Sequence, residues 1–356
     1  MDTKNKVLEY LESNKGTSVS GGKIADKLGV TRSAVWKAIK SLQDEGYSIT
    51  AVTNKGYCLS EKNDIISAES IKPYLNKKTK NMDVQVFKII DSTSNYAKKL
   101  AQEGAPEGTV IISEEQTQGR GRMGREFYSP SSTGIYMSII LRPKMSVEDS
   151  LLITTSVAVA VAKAIEKIAY IDTQIKWVKY ISFTHLICVS IYAKAIEKIA
   201  YIDTQIKWVN DIYFNGKKLC GILTEASLDF ESGGLEYAVV GIGINVSTVQ
   251  DSFPTSIRKI VTSIFPNKSP RPVRSILIGE ILNNIAECSD NITDKSYLDE
   301  YKKRSFLIGK SIVVINNETR TNARAIEIDD KARLIVRFED GKTQALNSGE
   351  VSVRVK

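Results

Sequence analysis

Apolar residues in the first sixty positions recur at helical spacing. Val7, Leu8 and Leu11 predict a helix over Lys4–Ser13. Gly21–Leu28 reads as a second helix, stopped by Gly29. Thr31 offers an N-cap for a third over Arg32–Glu45, whose apolar stripe is Val35, Ile39 and Leu42. Tyr47–Val52 and Gly56–Leu59 then read as strands around Asn54-Lys55-Gly56. Two short helices across a glycine turn, followed by a hairpin, predict a winged helix-turn-helix. Trp36 is expected to fill the space between the third helix and the wing, with stacking on DNA as its alternative.

A polar connector, Glu61–Asp83, follows. Beyond it Val84–Ile90, Val110–Gln116, Gly134–Leu141 and Ala238–Val246 read as strands, and a helix starts near Asp91-Ser92-Thr93-Ser94-Asn95. Lys207–Ile212 and Gly216–Leu223 read as strands joined by an Asn215-Gly216 turn. Short alternating runs at Ser311–Ile315, Ala323–Ile328, Arg333–Phe338 and Val351–Val355 close the chain. The pattern predicts a multidomain α+β protein, with a winged helix over 1–62, a central mixed-sheet domain over 63–304 and a small β domain over 305–356.

Composition narrows the chemistry more than the class. The net charge of +8 suits a nucleic-acid or phosphate partner, and is equally ordinary in a cytoplasmic protein. The polar start after Met1 shows no signal peptide, and no apolar run reaches the roughly 18 residues of a membrane span. A cytoplasmic location without membrane contact is therefore expected. Cys58, Cys188, Cys220 and Cys288 form no CxxC pair, and His185 is the sole histidine. A multi-histidine metal site is excluded, and nucleophilic catalysis through histidine could rest on this residue alone. The work falls to lysine, arginine, carboxylates and backbone amides.

Two groups of residues fit that chemistry. On the third helix Arg32, Ser33, Lys37 and Lys40 precede the first acid, Asp44, and Lys55 sits near the wing tip. This suits duplex phosphates, with a solvated basic face as the plainer alternative. Gly119-Arg120-Gly121-Arg122-Met123-Gly124-Arg125 lies directly after a strand. Glycine lets backbone approach a ligand, and guanidinium forks match phosphate or carboxylate oxygens. An RNA-binding or merely flexible loop is the alternative. Ser92, Thr93 and Ser94 suit a helix cap, or a carboxylate at a helix start. Lys218 opens a strand where it would reach a ligand. Gly241-Ile242-Gly243 fails as a dinucleotide fingerprint because Val246 stands where the third glycine belongs, and Gly309-Lys310-Ser311 fails as a P-loop because of Arg304.

Together, Arg32–Lys37, Asp91-Ser92-Thr93, Gln116 with GRGRMGR, KWVNDI, GKKLCGILTE and GIGIN resemble the bifunctional biotin–protein ligase and biotin-operon repressor family over nearly the whole chain. The resemblance implies a class II synthetase-like central domain and an SH3-like carboxyl-terminal barrel. It implies activation of biotin by ATP to biotinyl-5′-AMP, with Mg2+ shielding the triphosphate and no metal site of the protein's own. Biotin then passes to a lysine of a biotin carboxyl carrier protein. The adenylate also promotes homodimerisation and operator DNA binding. Carried over, Ser92, Thr93, Ser94 and Gln116 line the biotin site, and Arg120, Gly121 and Arg122 close over the adenylate. Arg122 retains the intermediate, Lys218 meets the carboxylate or phosphate, and Lys207 supports the α-phosphate. Val209 stands where the family often has proline, and Ser94 precedes Asn95 where the family often has asparagine as the third biotin contact. A lipoate-type ligase and a non-catalytic biotin-sensing repressor are the rival readings.

One feature departs from any family pattern. Residues 162–178, AKAIEKIAYIDTQIKWV, recur without change at 193–209, 31 positions later. Two copies are too few for a solenoid. Only the second runs into Asn210-Asp211, so Lys207 rather than Lys176 is the expected site lysine. Either copy could fill the single slot, leaving an apolar surplus with Ile181, Phe183, Leu186, Ile187 and Val189. The chain is expected to be less stable than one lacking 162–192.

Overall fold

A computed structural model describes residues 2–52, 55–181, 202–229, 233–267, 272–290, 292–316, 319–347 and 351–355. His185 and Cys188 lie outside the described residues.

Helices α1 (Thr3–Glu12), α2 (Gly21–Leu28) and α3 (Arg32–Asp44) close over Val7, Leu11, Ile24, Val35, Ile39, Leu42 and Leu59. The Ser20 and Thr31 hydroxyls cap α2 and α3, and Gly29 ends α2 at φ 66°. The wing is the antiparallel hairpin β1 (Ile49–Val52) and β2 (Gly56–Leu59). Position 56 requires glycine: φ is 100°, and a β-carbon would lie 2.1 Å from the Val19 carbonyl oxygen. Trp36 does not fill the space between helix and wing. It is 55% exposed, because Val35, Ala38, Ile39 and Leu42 already occupy the buried stripe, and residue 36 lies about 100° round the helix from Val35.

The connector is more than a polar linker. Ser67 and Ser70 form a reciprocal capping box at α4 (Ala68–Ile71), which buries Glu69, Ser70 and Ile71. Arg274 reaches the connector from the first turn of α7 (Arg274–Asp290). Its guanidinium pairs with Asp64 at 2.8 Å and with Glu114 at 2.5 Å, and it also donates to the Asp64 carbonyl.

The central sheet comprises β3 (Val84–Ile90), β4 (Val110–Gln116), β5 (Gly134–Leu141), β6 (Gln205–Lys207), β7 (Asp211–Phe214), β8 (Lys217–Leu228) and β9 (Leu235–Asn245). Its order is β3-β4-β5-β9-β8-β7-β6; β3 and β4 are parallel and the remaining pairs antiparallel. Alternation assigns the two faces. Val110 and Ile112 join α6 (Leu151–Ile181) and α7 in the large core. Ile111, between them, meets Ala97 and Ala101 of α5 (Thr93–Gln102) on the other face.

The repeat is resolved by division. The first copy supplies the helix: Ala162, Ala164, Ile165 and Ile168 are buried in α6. The second supplies the strand. Gln205-Ile206-Lys207 is β6, whereas the identical Gln174-Ile175-Lys176 is helical. Pairing with β7 makes the difference, since the local sequence is the same. Glu166 of the first copy accepts hydrogen bonds from Thr204 of the second, from N at 2.9 Å and Oγ1 at 2.6 Å, and pairs with Arg304 of α8 (Leu298–Arg304) at 2.5 Å. Removing one 31-residue repeat unit shortens the Glu166–Thr204 separation from 38 residues to seven and keeps every residue of this junction. The shorter closure should raise stability by about 1.5 kcal/mol from chain entropy. Denaturant melts of the chain and of the variant lacking 162–192 check this; equal midpoints would refute it.

The carboxyl-terminal strands β10 (Ser311–Asn316), β11 (Thr319–Ile328), β12 (Leu334–Phe338), β13 (Thr343–Leu346) and β14 (Val351–Val355) form an antiparallel sheet in the order β13-β12-β11-β10-β14, consistent with an SH3-like barrel. Ile312, Val314, Ala325, Leu334 and Val336 are continuous with the central core, and the Trp208 indole N–H donates to the Ala332 carbonyl at 2.9 Å. No described helix is long and apolar enough to cross a membrane.

Candidate active site

Gly221 on β8 faces Gly243 on β9, and Leu223 faces Gly241. A β-carbon at 243 would lie 2.6 Å from the Phe127 ring, one at 241 would lie 2.5 Å from Ser94 Oγ, and one at 221 would lie 3.0 Å from Lys218 Nζ. Bare backbone therefore floors a cavity of about 780 Å³, with Phe127, Ser94 and Lys218 lying on it. GIGIN fails as a dinucleotide fingerprint. Its structural meaning is glycine on one face of two adjacent strands.

Part of the cavity lining is neutral and polar. Thr93 donates to Gln116 Oε1 from N at 2.9 Å and from Oγ1 at 3.0 Å. Ser138 Oγ donates to Thr93 Oγ1 at 2.9 Å, and Ser94 Oγ lies 3.1 Å from Ser138 Oγ. Gln116 Nε2 donates to Ser129 Oγ at 3.0 Å, which fixes the amide orientation. Ser92 stands apart: it is buried, accepts from the Asn95 N–H at the start of α5, and does not line the cavity.

The lining also carries cations. The loop after β4 folds back on itself, with the Gly121 N–H donating to the Arg125 carbonyl at 2.7 Å and the Phe127 N–H to the Gly119 carbonyl at 2.8 Å. Arg120 donates to Asn95 Oδ1 at 2.8 Å and lies 3.4 Å from Glu225, which also pairs with Lys98. Arg122 donates to Asn210 Oδ1 at 3.2 Å. Burial pulls its pKa below the usual range and Asp211 opposes this; a guanidinium so placed keeps its charge. Lys218 Nζ lies 2.7 Å from Asp211 Oδ1, and Lys207 lines the same cavity. The Lys218 backbone bonds Ile260 and Thr262, pinning the segment after β9 to the rim.

Several lining residues carried no local signal. Tyr128 and Phe253 meet edge to face at 6.1 Å, and Tyr213 meets Phe306 at 5.3 Å with Lys310 Nζ 4.8 Å from the Phe306 ring centre. Phe306 and Lys310 reach the cavity through docking of the barrel. Asn210 and Asp211 stand in KWVNDI, yet their places opposite Arg122 and Lys218 follow from the pairing of β7 with β8. On the winged helix, Arg32, Ser33, Lys37 and Lys40 are exposed along α3, and Lys55 is exposed on the wing.

Comparison with known proteins bears on both regions. The Biotin/lipoate A/B protein ligase family matches residues 86–245, and an HTH domain matches residues 3–58. A "Bifunctional ligase/repressor BirA" of Bacillus spizizenii is 34% identical over 352 residues, spanning 95% of each chain. The chain belongs to the bifunctional biotin ligase/repressor family. The Escherichia coli protein of the same name is 26% identical over 337 residues, 94% of this chain and 92% of its own. A biotin protein ligase from Aquifex aeolicus, solved with biotin and ATP, covers 77% of this chain and 99% of its own, at a TM-score of 0.57 and 23% identity; this likeness shows the fold.

Proposed function

We propose that this chain activates biotin with ATP, transfers it to a lysine of a biotin carboxyl carrier protein, and represses transcription when loaded with the intermediate. The observation that carries the reading is one cavity with two chemistries. Neutral hydroxyl and amide groups at Thr93, Ser94 and Gln116 share its lining with the cations Arg120, Arg122, Lys207 and Lys218.

The neutral groups suit a polar uncharged ring, and the apolar lining side chains Met137, Ile222, Leu223 and Ile242 suit an aliphatic chain. The cations then meet a carboxylate and a phosphate. A carboxylate oxygen attacks the α-phosphorus, the bond to the bridging oxygen breaks, and pyrophosphate leaves. Lys218 and Lys207 stabilise the charge on the entering carboxylate and the α-phosphate. In the second step the carrier amine attacks the acyl carbon, AMP leaves, and the amine proton passes to water. Neither step calls for a histidine or a covalent enzyme intermediate. Arg122 and the glycine-arginine loop hold the mixed anhydride away from solvent. The carboxylates lining the cavity are Asp211 and Glu126, and no described cluster of three or more potential metal ligands exists. This suits Mg2+ arriving on the triphosphate, where it would neutralise phosphate charge, while Asp211 keeps its pairing with Lys218. The protein acts in the cytoplasm, and adenylate binding promotes a homodimer that holds operator DNA through the two winged helices.

Biotin-dependent release of pyrophosphate from ATP, followed by labelling of a carrier domain, tests the reading. Absence of both with purified protein would leave a repressor alone. Arg122→Gln should let about tenfold more adenylate escape, seen as biotin on bystander lysines of an added inert protein. Unchanged bystander labelling would remove Arg122 from the retaining role.

A further inference from the structure

The outward face of α3 carries a residue that the fold does not use. Trp36 is 55% exposed and belongs to none of the hydrophobic clusters of the described residues. No ring contact or hydrogen bond engages it among those residues. The buried face is complete without it, filled by Val35, Ala38, Ile39 and Leu42. An indole held in water on a short surface helix costs solubility and adds nothing to this core.

Its neighbours give it a context. Residues three and four apart share a helix face, so Arg32, Ser33 and Lys40 surround Trp36, with Lys37 beside it. All four are exposed, and no acid precedes Asp44 on this helix. The face is therefore an apolar centre in a cationic rim. The rim matches the phosphates on either side of a major groove. Within that groove the one apolar mark on a base edge is the C5-methyl group of thymine.

We infer that Trp36 reads a thymine methyl group in the operator's major groove, while Lys37 and Lys40 hold the flanking phosphates. This rests on the repressor reading and adds the base that the helix recognises. Trp36 then contributes sequence preference and the lysines contribute salt-dependent affinity.

The test begins with a random duplex pool selected on the full chain in the presence of biotin and ATP. The enriched half-site should contain a thymine whose replacement by deoxyuridine, which lacks the methyl, weakens binding about tenfold. Trp36→Ala should bind that duplex about tenfold less well and become indifferent to the replacement, with unchanged affinity for mixed-sequence DNA. Lys37→Ala should weaken all duplexes alike and lower the salt slope by about one. A 5-iodouracil at the same position should photocrosslink to Trp36. Unchanged affinity of Trp36→Ala for mixed-sequence DNA establishes that its winged helix is folded, and pyrophosphate release at the parent rate that its ligase domain is intact. A variant that selects the same half-site with the same response to deoxyuridine overturns the inference and leaves the repressor reading standing. A crosslink confined to other residues does the same. Failure of the parent chain to enrich any duplex overturns both.

Discussion

Lys218→Met should slow biotin-dependent pyrophosphate release by about 10²–10³-fold while leaving the melting midpoint nearly unchanged. Lys218 enters the cavity over bare backbone at Gly221, and its ammonium lies 2.7 Å from Asp211. Methionine keeps the stem and removes the charge. The loss has two parts: the cation that meets the attacking carboxylate and the α-phosphate disappears, and Asp211 is left facing two anionic substrates without its partner. The effect should fall on kcat more than on the KM for biotin, because charge builds up at the reacting oxygens as the bond to pyrophosphate breaks. Single-turnover release of labelled pyrophosphate is the measurement. A rate within about threefold of the parent would move Lys218 out of the reaction.

Arg274→Met should destabilise the protein by about 3–5 kcal/mol, the usual cost of removing one partner from a buried ion pair. Arg274 is 2% exposed, and two carboxylates are built around it: Asp64 in the connector and Glu114 on β4, itself 13% exposed. Methionine would leave both carboxylates without their cation, and Glu114 would keep only the Ile66 N–H at 3.0 Å. Because this guanidinium joins the connector, β4 and α7, the damage should appear first where the winged helix meets the ligase domain. Limited proteolysis within residues 60–66 should accelerate before the ligase core melts. Glu114→Gln added to Arg274→Met should recover part of the loss, since it removes one stranded charge. Equal denaturation midpoints for the parent and Arg274→Met would show that the triad contributes nothing net.

How much of this was legible in the sequence depends on the range of the forces involved. Gly21–Leu28, Gly56–Leu59, Val110–Gln116 and Gly134–Leu141 fall where periodicity and punctuation put them, because local signals set those bounds. The Asn215-Gly216 turn has φ of 48° and 74°, the left-handed pair that this dipeptide favours. The connector helix was not legible, since its buried Glu69 and Ser70 read as solvated polar residues. Nor was β13, whose Thr343–Leu346 is short and half polar. Within the cavity, the loop arginines and Lys218 stood out by type and place. Phe306, Lys310 and Phe253 did not, because they reach the cavity by long-range packing. The family resemblance carries Ser92 into the biotin site with Thr93 and Ser94, yet one step along a helix start turns a side chain from the cavity into a cap.

The division of the repeat between helix and strand has a genetic consequence. Two identical stretches of sequence are under opposite constraint. In the first copy the fold depends on Glu166 and the apolar residues up to Ile168, and in the second on Thr204 through Val209. Substitutions at Glu166 in the first copy and at Thr204 through Val209 in the second should therefore be resisted for different reasons, a helix junction in one and a strand in the other. Over many generations the pair would drift apart, one copy held to a helix and the other to a strand.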